Sequence, residues 1–150
     1  MKVIAKRIAL ILALQASLNL YSRPAELPYK ISEVVDTLQL VESDGRALVK
    51  GDQGRAVGIL QIWKITVDQA NKYVGWKKYK YSDRECPKKS REIAFVVLCG
   101  RVAHERKHNG RIPTERQLAG SWRSGSVNKK SPDWYLSRYY LKKKQLKDVL

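Results

Sequence analysis

The residues best suited to chemistry are two carboxylates set among turn-forming and apolar residues. Glu42 lies at the end of an apolar-periodic segment, in Val41-Glu42-Ser43-Asp44-Gly45. Asp52 follows ten residues later, in the glycine-rich run Gly51-Asp52-Gln53-Gly54. Next comes a short apolar stretch with one amide inside it, Gly58-Ile59-Leu60-Gln61-Ile62-Trp63. A carboxyl walled by apolar side chains has a raised pKa and stays protonated, as a general acid must. At a helix end it also faces the negative pole of the helix dipole, which favours the same form. Asp52 has two readings. Held across a sugar ring, roughly 6.5–9.5 Å from the acid, it would position the water of an inverting glycosidase. As the first residue of a tight turn it would serve the backbone alone. Spacing along the chain does not decide between them.

A second constellation is His104-Glu105-Arg106-Lys107-His108, which has the His-Glu-x-x-His zinc spacing. On a helix both imidazoles would share a face, with Glu105 as base. Arg106 and Lys107 argue against this, because a buried zinc helix carries uncharged residues there. Asn109-Gly110 ends the helix at once, and a strongly positive chain opposes a dication. No metal or cofactor is expected. A third feature is the set of basic residues interleaved with Trp76, Tyr79, Tyr81, Trp134, Tyr139 and Tyr140. Such a surface can stack bases and meet phosphates. No helix-turn-helix, RNP or zinc-finger signature accompanies it, so nucleic acid is not the expected partner. The same combination suits a sugar polymer, with aromatics on pyranose faces and cations against acidic membrane or cell-wall polymers.

The elements that must position these groups follow from periodicity. Ile31, Val34, Val35, Leu38 and Val41 have helical spacing, with Ser32 near the start and Asp44-Gly45 as the stop. Glu42 then sits in the last turn. Residues 51–58 are turn-rich, and a short strand beginning within 57–63 would complete a small hairpin. Thr66-Val67-Asp68-Gln69 has the capping-box pattern and Gly75 a stop, so a helix is expected over 66–73. Residues 76–81 read as an exposed loop with aromatic anchors. Pro87 opens a long helix to about His108. Thr114-Glu115-Arg116-Gln117 is a second capping box, opening a helix towards Trp122, and 124–126 is a loop. Ser131-Pro132 starts the last helix, which ends in a lysine-rich tail.

The chain has 150 residues, 43% of them hydrophobic, which is enough for one domain with a core. Its formal net charge is +16 and its pI about 10.0. That field attracts anionic polymers and also aids solubility. Residues 1–22 carry a basic start and an unbroken apolar run over 8–14, too short for a confident membrane span. They read as an export signal or, because the cleavage site is loose, a retained membrane anchor; a first core helix is the competing reading. Export to the periplasm or the exterior is expected, and residues 23–150 form one domain, read as a monomer. Two cysteines are too few for a disulfide scaffold. In an exported chain Cys86 and Cys99 could form one bridge; Cys99, in an apolar run, reads as core packing, which leans towards free thiols.

Glu42-Ser43 followed by Gly58-Ile59-Leu60-Gln61-Ile62 resembles the lysozyme-like superfamily, most closely its soluble lytic transglycosylase branch. There a catalytic glutamate precedes a serine at a helix end, and a glycine-apolar-apolar-Gln-apolar motif follows. The resemblance covers about 31–139. It implies a mainly α, lysozyme-like α+β domain with a small hairpin beside the cleft. It implies cleavage of the β-1,4 linkage in peptidoglycan strands, with Glu42 as acid and no cofactor. Ser43 would stand beside the acid, and Gln61 would touch sugar or position Glu42. If Asp52 is a base, the chain is a lysozyme rather than a transglycosylase. A later family motif is half present in Ala119-Gly120-Ser121-Trp122-Arg123-Ser124-Gly125: Trp122 and Gly125 fit, while Arg123 stands where the family has asparagine. Tyr135 falls near the family's cleft tyrosine. Trp122 and Tyr135 read as substrate contacts or as core aromatics, and Arg123 as a ligand for a sugar carboxylate or N-acetyl oxygen. Arg123 also keeps alive a different class of function, a non-catalytic scaffold binding polyanions.

Overall fold

The computed structural model describes residues 26–149. The 1–22 segment read as an export signal or anchor lies outside them. Helix α1 (Ile31–Ser43) buries the periodic set Ile31, Val34, Val35, Leu38 and Val41. Each such side chain contributes about 1.5–3 kcal/mol on leaving water. Ser32 does not cap it; Lys30 precedes the helix with no side-chain cap. The stop is as expected: Asp44 adopts φ 53°, and the Asp44 and Gly45 N–H groups return to the Leu40 and Gln39 carbonyls. Glu42 is therefore in the last turn.

Strands β1 (Lys50–Gly51) and β2 (Ala56–Val57) pair antiparallel, Lys50 with Val57 and Gly51 with Ala56, across a 3-10 turn at Asp52–Gly54. The hairpin is there, but the apolar run does not continue as a strand. Gly58 (φ 80°) and Gln61 (φ 48°) reverse the chain, and Val57 and Ile62 bridge across the reversal. This tight turn drops Ile59 and Leu60 into the core. Gly58 has no substitute: a Cβ there would lie 1.9 Å from the Arg84 carbonyl oxygen.

Helix α2 (Lys64–Val74) starts before Thr66, so that capping box goes unused, while Gly75 ends the helix as expected. The 76–81 stretch is only partly an exposed loop. Trp76 is exposed, but Tyr79 is buried: Asn71 brackets its backbone at 2.8 and 2.9 Å, and its hydroxyl donates to Glu92 at 3.0 Å. A 3-10 turn at Tyr81–Glu85 leads to helix α3 (Pro87–Asn109), with proline in its first turn and Gly110 as its left-handed stop. Helix α4 (Glu115–Ser124) uses its capping box: Gln117 N–H donates to Thr114 Oγ1 at 3.2 Å and Thr114 N–H to Gln117 Oε1 at 3.0 Å. Helix α5 (Asp133–Val149) begins just after Pro132, whose carbonyl accepts from the Tyr135 and Leu136 N–H groups.

Helix α1 packs on α3, α4 and α5, and α2 packs on α3. The described chain is thus mainly helical, with five α-helices and one two-stranded sheet. None of these helices is long and apolar enough to cross a membrane. Cys86 is exposed, Cys99 is half-buried against the core, and both are free.

Candidate active site

A cleft of about 800 Å³ opens where the end of α1, the hairpin, α2, α3 and the end of α4 meet. Glu42, Asp52, Gln61, Trp122 and Arg123 all line it. Residues 42 and 123 thus come together as the sequence reading expects, from helices distant in the chain.

Glu42 is half-buried, and burial raises its pKa above the ordinary 4.5. Three groups oppose the shift: the Tyr135 hydroxyl, then the Arg123 and Arg138 charges; Asp52 adds to it. Burial wins. Tyr135, on α5, donates its hydroxyl to Glu42 Oε1 at 2.6 Å. Its own pKa is driven far up, first by burial and then by the adjacent carboxylate, so it remains a donor at any working pH. Tyr135 is only 2% exposed. Its hydroxyl is committed to Glu42, which makes it a positioning residue, and of its two readings its packing matches the core aromatic.

Ser43 stands beside Glu42, and its contacts are to backbone. It is buried, and its hydroxyl lies 2.7 Å from the Ile59 carbonyl and 3.1 Å from that of Gln39. Its single proton is spent on backbone, so it pins the 58–62 turn to α1. Gln61 holds the same wall from the other side: its amide donates to the Val49 and Gly58 carbonyls at 3.0 and 2.9 Å. Its oxygen lies over Gly51, where a Cβ would approach it to 2.5 Å. A glutamine at positive φ is backbone strain of the kind folds keep where a wall must be placed.

Trp122 satisfies both of its readings. Its indole N–H donates to the Leu60 carbonyl at 3.2 Å, it packs against the core, and it still lines the cleft. Arg123 is exposed at the cleft, its guanidinium 5.9 Å from the Trp134 ring centre. Asp52 stands exposed on the rim with φ 48°, its carbonyl accepting from the Arg55 N–H groups. It carries the turn and faces the cleft at once.

Two buried arginines, which the sequence does not mark out by motif, complete the site. Arg84 is buried and donates to the carbonyls of Tyr81, Arg55 and Ile62 at 2.8, 3.1 and 3.1 Å, which clamps the hairpin to the turn. Arg101, also buried, lines the cleft. Its signal was available: it falls on the buried stripe of α3, with Ile93, Ala94, Val97, Leu98 and Val102.

The His-Glu-x-x-His spacing does not make a site. His104 and His108 are exposed on α3, ring centres 4.3 Å apart. Glu105 is turned inward, where Asn109 and Asn128 each donate to it at 2.9 Å and Arg111 pairs with it at 3.1 Å. A carboxylate so engaged is no base for an exposed histidine pair. Among the described residues no group of three or more His, Cys, Asp or Glu could hold a metal ion. No protein-family model matches the chain, and no curated protein or solved structure matches it either.

Proposed function

We propose that the protein cleaves β-1,4 glycosidic bonds of peptidoglycan, with Glu42 as general acid on a lysozyme-like α+β scaffold. The observation that carries the reading is Glu42 itself: of the three carboxyls that line the cleft, with Asp52 and Asp68, it is the half-buried one, its pKa raised by burial and its side chain oriented by a single hydroxyl donor. General acids are built this way. Glu42 gives its proton to the bridging oxygen as the C1–O bond breaks. In the transglycosylase route the C6 hydroxyl of the same sugar attacks C1, and the Glu42 carboxylate takes up that hydroxyl's proton. A 1,6-anhydro ring closes and the acid is restored. In the hydrolytic route water attacks instead, with Asp52 as base at the rim. Trp122 supplies an aromatic face for a sugar ring. The basic charge draws the protein to acidic cell-wall polymers. Export as a monomer is part of the proposal.

The test is mass spectrometry of peptidoglycan digested by wild type beside Glu42→Gln. Anhydro ends made by wild type alone are the result expected of the transglycosylase. Reducing ends would point to hydrolysis, with Asp52 the leading candidate for its base.

One observation favours a second reading, a scaffold that binds wall polyanions without cleaving them. The Arg123 charge holds Glu42 towards ionisation, against the role of an acid. Retained binding with no released fragments from several walls would decide for that reading.

A further inference from the structure

Arg101 is 8% exposed and belongs to the same cleft as Glu42. Only neutral acceptors hold it. Nη1 donates to the Ser121 carbonyl at 2.7 Å and the Ser121 hydroxyl at 2.9 Å, and Nη2 to the Gln69 amide oxygen at 3.2 Å. Its Nε is buried without a partner. Four other arginines meet carboxylates: Arg91 pairs with Asp36, Arg111 with Glu105, Arg116 with Asp133 and Arg138 with Asp44. Among the described residues no carboxylate pairs with Arg101. Arg84 is equally buried without a carboxylate, but it lies off the cleft and is occupied by three backbone carbonyls.

A buried cation without a counter-charge is costly, and a fold keeps one where something neutralises it. The open side of Arg101 is the cleft, which Gln69 and Lys72 of α2 also line; the carboxyls of Asp68, Asp52 and Glu42 line it too, and none of them pairs with Arg101. A guanidinium fixed by its own hydrogen bonds is preorganised for a carboxylate. We propose that the cleft receives a glycan bearing a free carboxylate, seated against Arg101 with Lys72 beside it. This rests on the glycan-cleaving reading for the identity of the polymer, but not for the anion. Glu42 does the chemistry, and Arg101 selects the strand.

The test uses the full chain and three glycans. Peptidoglycan strands with peptide stems carry their carboxylates on the peptide. The same strands after amidase treatment carry them on the lactyl group of the sugar. Chitin oligosaccharides carry none. Arg101→Gln is expected to raise KM on carboxylate-bearing strands at least about 30-fold, the low end for losing one partner of a buried charge pair. The KM for chitin oligosaccharides stays unchanged, and Arg101→Lys recovers part of the loss. An effect confined to stem-bearing strands puts the anion on the peptide; an effect on stem-free strands puts it on the sugar. An equal rise on chitin, or no selective rise, overturns the proposal and leaves Arg101 as a tie between α2 and α4. Calorimetric binding of the same glycans to wild type and Arg101→Gln separates the two failures. If nothing is cleaved but an Arg101-dependent preference for carboxylate persists in binding, the enzyme reading falls and this inference stands. If strands are cleaved but bound without that preference, this inference alone falls.

Discussion

Glu42 on α1 and Glu105 on α3 are both drawn in from solvent, yet they end in opposite electrostatic states. Glu42 has one neutral donor, the Tyr135 hydroxyl, and burial raises its pKa. Glu105 is 1% exposed but has Asn109, Asn128 and Arg111 around it, and its pKa is lowered, the Asn109 hydrogen bond being the largest cause. Burial alone therefore does not make an acid. What differs is the number and charge of direct donors: with one neutral hydroxyl on Glu42, burial outweighs it and the more distant Arg123 and Arg138 charges, whereas two amides and a guanidinium on Glu105 outweigh its burial. Glu42 opens on a cleft, whereas Glu105 ties α3 to the loops that follow it.

The comparison breaks most visibly in turnover. Glu42→Gln is expected to lower glycan cleavage by about 10²–10⁴-fold, the range for losing a positioned proton donor. Glu105→Gln should leave turnover per folded molecule unchanged but lower the melting temperature, because its amide would face Asn109, Asn128 and Arg111 as one more donor. Equal activity losses in both variants would erase the distinction.

The wall beside Glu42 can be broken without touching a carboxylate. Gly58→Ala places a Cβ against the Arg84 carbonyl at a positive φ. It is expected to cost about 2–5 kcal/mol in a denaturant melt, from overpacking plus backbone strain. A loss of less than about 1 kcal/mol would mean that the turn yields easily.

Tyr135→Phe sharpens the contrast by removing the single donor. Turnover is expected to fall about 10-fold, from one hydrogen bond to the reacting carboxyl. Because that hydrogen bond lowers the Glu42 pKa, its loss raises the pKa further. The fall in activity on the alkaline side then begins at higher pH than in wild type, as a pH–rate profile would record.

Stability against pH separates the two glutamates by sign. Glu42 binds its proton more tightly folded than unfolded. Its contribution is fully present below 4.5 and fades as pH rises through the raised folded value. Glu105 does the reverse: its contribution is present above 4.5 and fades as pH falls through the lowered value. In thermal melts between pH 3 and 7, Glu42→Gln should gain on wild type as pH rises, and Glu105→Gln should lose on it. The smallest expected effect is Trp122→Phe, which keeps an aromatic face but drops the bond to Leu60. An increase in KM of up to about 10-fold is expected, the worth of one neutral hydrogen bond.

Much of this frame is legible in the chain. The α1 stripe puts Glu42 in the last turn, and both glycine stops, Gly75 and Gly110, hold. What escaped depends on contacts between distant segments. Thr114 caps its helix while Thr66 does not, because α2 starts at Lys64 and leaves Thr66 inside the first turn. Tyr79 looks like a loop aromatic until Asn71 binds its backbone and carries the ring inward. Ser43 and Tyr135 stand beside the acid, but the Ile59 carbonyl and Glu42 itself consume their hydroxyls. Arg101 and Glu105 stood in plain view as charges on the buried stripe of α3. The zinc-like spacing belongs to the exposed histidines beside them, which no contact brings inward.

The most direct measurement is the titration of the two carboxyls in one sample, by carboxyl carbon NMR of the intact protein labelled at glutamate, with Glu42→Gln and Glu105→Gln assigning the signals. The account expects Glu42 to titrate above 4.5 and Glu105 below it. Glu42 at or below Glu105 would contradict it, since the cleft would then hold an ionised carboxylate with no proton to give.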